Sequence, residues 1–190
     1  MKKPIALLFA LLTSFSLSVH ATVIDFTTMP NGPVSVIGDA TFSLAGSGES
    51  GNPAVDGNFG GGLWNSADNA SYPTNSILRV DFATTVTGLQ WLFDNEGGKS
   101  TTYTVYDSLM NVLASGFNST ASGMQGYDLS GLTGVARIDW NNGGNDWLFA
   151  LGRIQYTAEA VPEPSAFALL GLGLLGLLGA AVARRRNRQV

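Results

Sequence analysis

Any chemistry in the interior of this chain falls to oxygen, amide and indole groups and four cations, Arg79, Lys99, Arg137 and Arg153. Cysteine is absent, and the single histidine, His20, stands near the N-terminus. Beyond it, Ser-His-Asp and Cys-His catalysis, thiolate chemistry, disulfides and histidine-ligated zinc or iron are all excluded. Four tryptophans and fourteen acidic residues remain.

Trp64, Trp91, Trp140 and Trp147 are the residues that suit a sugar. Aromatic faces stack on pyranose rings, and Asn or Asp side chains satisfy hydroxyls. The run Trp140-Asn141-Asn142-Gly143-Gly144-Asn145-Asp146-Trp147 offers both chemistries within one turn. The competing reading is that tryptophans fill a core while Asn-Gly sequences make the turn. Trp91 alternates with polar neighbours and belongs to a core; Trp140 and Trp147 lean the same way, and Trp64, beside a glycine-rich loop, is more open. Glycan contact is therefore an alternative carried by Trp64, Trp140 and Trp147.

A calcium ion needs several hard oxygens at short spacing. Asp139, Asn142, Asn145 and Asp146 form one candidate set, and Asp56 with Asn58 a second. Neither follows an EF-hand, and Asx residues in turns usually bond their own backbone. The expectation is no cofactor. A glycosidase would set two carboxylates across a cleft, but nothing in the spacing pairs two acids, so no catalytic residue is assigned. Gly171-Leu172-Gly173-Leu174-Leu175-Gly176 fits a dinucleotide-binding string, yet no strand precedes it.

The elements that must position these residues are strands. Short runs rich in Val, Ile, Thr and aromatics alternate with Gly, Asn, Asp and Ser turns. Strands are expected over residues 22–26, 34–44 (bent at Gly38), 63–65, 77–83, 86–94, 101–106, 112–117, 127–129, 135–140 and 147–157. Leu89, Trp91 and Phe93 alternating with Gln90 and Asp94 fit a sheet with one buried face. The fold class is all-β: an antiparallel, jelly-roll-like β-sandwich over residues 22–160. That part holds four cations against thirteen acids, a net charge of −9. Such a balance argues against nucleic acid as a partner.

Both ends read as delivery segments. Lys2 and Lys3 precede a short apolar run, and Val19-His20-Ala21 supplies small residues before a cut between Ala21 and Thr22. This is a signal peptide, residues 1–21, for signal peptidase. Residues 161–190 open with Val161-Pro162-Glu163-Pro164-Ser165, two prolines that end a helix and hold a stiff extended segment. Residues 166–183 are uncharged, and with Ser165 they rise roughly 28 Å as a helix, one hydrocarbon thickness. Arg184, Arg185, Arg186 and Arg188 would then hold the tail in the cytoplasm. The expectation is a transmembrane helix transiently in the inner membrane.

The Pro162-Glu163-Pro164 motif, the apolar span and the terminal arginines together resemble the PEP-CTERM sorting signal of Gram-negative envelope proteins. The resemblance implies processing by an exosortase near Val161–Ser165 and export to the cell surface or extracellular matrix. It also implies an association with exopolysaccharide or biofilm. The hairpin over residues 101–115 and the pair 137–140 and 149–156 resemble the β-sandwich domains common in that group. Some of those carry an acidic pair beside a calcium site; here Gly152 and Arg153 stand at those positions.

Overall fold

The computed structural model describes residues 20–159, apart from 47–49, 58–60, 68–74, 96–98, 119, 122 and 145–147. The expected transmembrane span and sorting motif, and residues 1–19 of the expected signal peptide, lie outside these. Among the described residues no helix is long and apolar enough to cross a membrane.

The described chain is antiparallel β with almost no helix. In order come β1 (Ala21–Asp25), a single 3-10 turn at Phe26–Thr28, β2 (Gly32–Pro33), β3 (Val36–Ile37) and β4 (Ala40–Gly46). β5 (Ala54–Val55) and β6 (Leu63–Trp64) lead into β7 (Ser76–Asn95), the longest strand. β8 (Thr102–Tyr106), β9 (Val112–Phe117), β10 (Gln125–Leu129), β11 (Val135–Asn141) and β12 (Phe149–Ala158) follow.

β7 is the spine, and its sequence explains how. Over Ser76–Phe82 the buried side chains are the even ones, Ser76, Leu78, Val80 and Phe82. Over Leu89–Asn95 they are the odd ones, Leu89, Trp91, Phe93 and Asn95. A strand changes the parity of its buried face only by inserting a residue. Gly88, at φ +66°, lies where that happens. β12, across from it, is irregular between Gln155 and Thr157.

The two arms of β7 have different neighbours. The first pairs with β4 on one side and β11 on the other, continuing through β8 to β9. The second pairs with β10 and β12, and β12 takes β1 and β6. Side chains from the two arms meet in one core. Trp91 from the second arm stands edge-on to Trp140 on β11 (5.5 Å) and to Tyr103 on β8 (5.1 Å). Phe93 lies against Phe149 of β12 at 5.0 Å and faces Trp140 at 6.4 Å.

Two expectations change. The bent strand over residues 34–44 is a hairpin of β3 and β4, because Gly38 adopts φ +62° and reverses the chain. The two strands expected at 77–83 and 86–94 are the one strand β7. Asp107 anchors the β8–β9 turn: its carboxylate accepts from the backbone N–H of Leu109 and Asn111, both at 2.8 Å, and from Asn111 Nδ2 at 2.9 Å. Those bonds hold its carboxyl below the usual range, the Asn111 side chain contributing most.

Candidate functional site

Those residues singled out for chemistry that the structure describes have structural duties. Trp140 is 0% exposed, enclosed by Trp91 and Phe93. Its ring offers no face to a sugar, so the glycan alternative finds no support at that residue and the core reading fits its burial. Trp64 is 7% exposed, packs with Leu148 and Ala150, and donates its Nε1–H to the Asp56 carbonyl at 3.2 Å. It too is turned inward. Trp147 lies outside the described residues.

The described members of the candidate calcium sets are likewise committed to the protein. Asp139 spends both carboxylate oxygens on Arg79, accepting from Nε and Nη2 at 2.8 Å each. Asn142 is wholly buried; its Oδ1 accepts the Ser76 N–H at 3.0 Å, and its own N–H donates to the Ser76 carbonyl at 3.2 Å. It extends the β7–β11 pairing by one residue as a side-chain strand mimic. Asn145 and Asp146 lie outside the described residues, as does Asn58; Asp56 is buried beneath Trp64. Among the described residues no cluster of three or more acids, histidines or cysteines is placed to hold a metal.

The outer face of the first arm is a charge ladder. Arg79 opposes Asp139, and one step along Asp81 opposes Arg137, whose Nε donates to Asp81 Oδ1 at 2.6 Å. Opposite charges directly across a ladder stabilise it, and here the two rows run in opposite sense. The Asp139 hydrogen bond raises the pKa of Arg79 above its ordinary value, against burial. Both arginines are satisfied.

The outer face of the second arm is different. β10, β7, β12 and β1 lie side by side there, and two rows cross them. One runs Asp128, Gln90, Gln155, Val23; the next runs Gly126, Leu92, Arg153, Asp25. Gly126 has no side chain, so the second row has a gap over β10. A hollow of about 180 Å³ occupies it, lined by Gln90, Leu92, Gly126, Asp128 and Arg153 with Trp91 and Tyr127. Tyr127 lies parallel to Trp91 behind it at 5.5 Å. Asp128 accepts the Ser130 N–H at 2.8 Å; bonds from Ser130 and then Gln90 lower its pKa, so it is an anion and a pure acceptor at neutral pH. The Arg153 guanidinium has no hydrogen bond or ion pair among the described residues, unlike those of Arg79 and Arg137.

Sequence reasoning passed over this hollow. The signal present was a glycine inside a strand, Gly126, which marks a place where something approaches the backbone closely. What could not be read was which strand lies beside it.

The C-terminal end was matched by comparison. Residues 160–186 fit the model described as the PEP-CTERM protein-sorting motif. The chain carries a PEP-CTERM sorting motif. Such a motif implies an exported precursor handled by an exosortase. No curated protein matches the chain. Among solved structures it is similar to a family 29 carbohydrate binding module from Piromyces equi, at 12% identity over 77% of this chain and 95% of that one, with a TM-score of 0.44. A second family 29 module gives 16% identity, 72% and 91% coverage and a TM-score of 0.45. A Streptococcus pneumoniae fucose binding module gives 18%, 47% and 70%, with a TM-score of 0.39. Likeness at this level assigns no ligand, activity or site to the PEP-CTERM chain.

Proposed function

We propose that this PEP-CTERM chain is an exported cell-surface or extracellular-matrix protein: one jelly-roll-like β-sandwich, residues 22–160, delivered by two disposable ends. Residues 1–21 start translocation and are cut by signal peptidase between Ala21 and Thr22. Residues 166–183 halt it in the inner membrane, and Arg184, Arg185, Arg186 and Arg188 keep the tail cytoplasmic. An exosortase then acts within Val161–Ser165. The partner outside is an exopolysaccharide of a Gram-negative biofilm.

The motif at residues 160–186 is the observation that carries this reading. The way the domain ends supports it. Glu159 donates its N–H to the Thr85 carbonyl at 2.8 Å, while its carboxylate accepts from Thr85 Oγ1 at 2.6 Å and from the Gly134 N–H at 2.8 Å. The domain's last strand is therefore tied off before Pro162, and a cut at the motif breaks none of these bonds. At the other end, cleavage before Thr22 removes only Ala21 from β1 and leaves Thr22–Asp25 paired with β12. The sandwich reading is supported by Trp91 and Phe93 of one β7 arm packing against Trp140 beside the other.

The domain is read as non-catalytic because residues 22–160 contain neither histidine nor cysteine and nothing in the sequence pairs two carboxylates across a cleft. The alternative of a glycan bound by loop tryptophans finds no support at Trp64 or Trp140, which are buried. Changing Pro162 to Ala together with Glu163 to Gln tests the sorting. The expected result is an unprocessed precursor kept in the membrane fraction; ordinary release of that variant would contradict it.

A further inference from the structure

The hollow at Gly126 has the composition of a recognition site, and its positive charge, Arg153, makes no ion pair among the described residues. The domain carries only four cations, and two of them, Arg79 and Arg137, are consumed by facing aspartates. Arg153 stands in β12 with Leu92 beside it and Asp25 across from it, yet its guanidinium is unpaired among the described residues. The Asp25 carboxylate is taken by the Thr27 N–H and Oγ1, and a guanidinium bonded to no carboxylate can take one from a ligand, two oxygens at a time. On the neighbouring row Gln90 offers a donor and an acceptor, and the Asp128 carboxylate accepts only.

These groups select the ligand's chemistry. Within the hollow a second anionic group beside the one on Arg153 is repelled by the Asp128 carboxylate. A neutral ligand leaves Arg153 unanswered. A group with one carboxylate and several hydroxyls answers all three: the carboxylate on Arg153, hydroxyl donors on Asp128, and either kind on Gln90. The hollow, about 180 Å³, is smaller than the roughly 300–1,000 Å³ of pockets that enclose a drug-sized molecule, so it accepts one ring of a longer chain lying across the strands.

We propose that the face of β10, β7 and β12 around Gly126 binds one uronate unit of an acidic polysaccharide, with Arg153 on its carboxylate and Gln90 and Asp128 on its hydroxyls. The site stands on its own geometry. Only the meeting with an extracellular polymer rests on export, so the test is made with purified protein, where failure of sorting has no influence.

The full-length chain in detergent micelles is titrated with hexameric oligogalacturonate, with maltohexaose and with hexaglutamate, followed by calorimetry and by intrinsic tryptophan fluorescence. The uronate should bind at least tenfold more tightly than either comparison ligand. Arg153→Gln should weaken it tenfold or more. Gly126→Val should do the same by filling the hollow: an added Cβ there meets only Leu92 Cδ2, at 3.7 Å, and the backbone needs no unusual φ, so the variant keeps the wild-type fold and melting midpoint. No uronate binding by the wild type overturns the proposal. So does equal binding of maltohexaose or hexaglutamate, or uronate affinity unchanged in a folded Gly126→Val protein.

Discussion

Arg79 and Asp139 stand opposite one another on β7 and β11 and share two parallel hydrogen bonds of 2.8 Å. The pair settles what Asp139 does. A carboxylate that already holds a guanidinium at both oxygens has little left for a cation, and losing it strands Arg79 on a half-buried face. Asp139→Asn should lower stability by about 1–3 kcal/mol, as for a charge-assisted bond at a partly screened position. Urea unfolding measures this. The same loss should appear in EDTA and in millimolar calcium; a loss seen only in calcium would return Asp139 to a metal site.

Asn142 makes a related claim from the core side. Its amide oxygen and its backbone N–H both bond Ser76. Asn142→Ala leaves the buried Ser76 N–H without its acceptor, which costs about 1–3 kcal/mol. The midpoint of thermal unfolding should fall accordingly, with no accompanying change in oligosaccharide binding.

Trp140 should behave as core and nothing else. Trp140→Ala removes a wholly buried ring from between Trp91 and Phe93, and such truncations cost about 3–5 kcal/mol. Trp140→Phe should retain most of the stability. Loss of sugar binding in a folded Trp140→Phe protein would contradict this.

Tyr156 should make the fold sensitive to alkali. Its hydroxyl donates to Asp39 Oδ1 at 2.5 Å. Burial, then the bond to that carboxylate, pushes the phenol pKa far above its ordinary value. The unfolded chain releases this proton near pH ~10 while the folded chain keeps it. The contribution is therefore complete below about pH 10 and is lost as pH rises beyond it. Unfolding midpoints should fall above that pH in the wild type and fall less steeply in Tyr156→Phe.

Much of this was legible beforehand where burial follows a period. Leu89, Trp91 and Phe93 announced the inner face of β7, and Asp107 with Asn111 announced the β8–β9 turn. The two-residue strands β2 and β5 were not legible, because two residues hold no period and they lie in glycine-rich sequence. The continuity of β7 was hidden for a related reason: the alternation of burial lapses over residues 83–85, so one strand reads as two. The hollow joins Gly126, Gln90 and Arg153 from three strands, and strand neighbours are fixed by topology that local sequence does not encode. Asn142 looked like a turn residue and Asn65 like the end of a short strand, yet each accepts a backbone N–H from a distant strand, Ser76 and Phe149.

The most direct measurement is the intact mass of the protein recovered from outside the cell in its own host. The account predicts a polypeptide that begins at Thr22 and ends within residues 161–165. A recovered chain that still runs to Val190, or a protein found only in the cytosol, would contradict it.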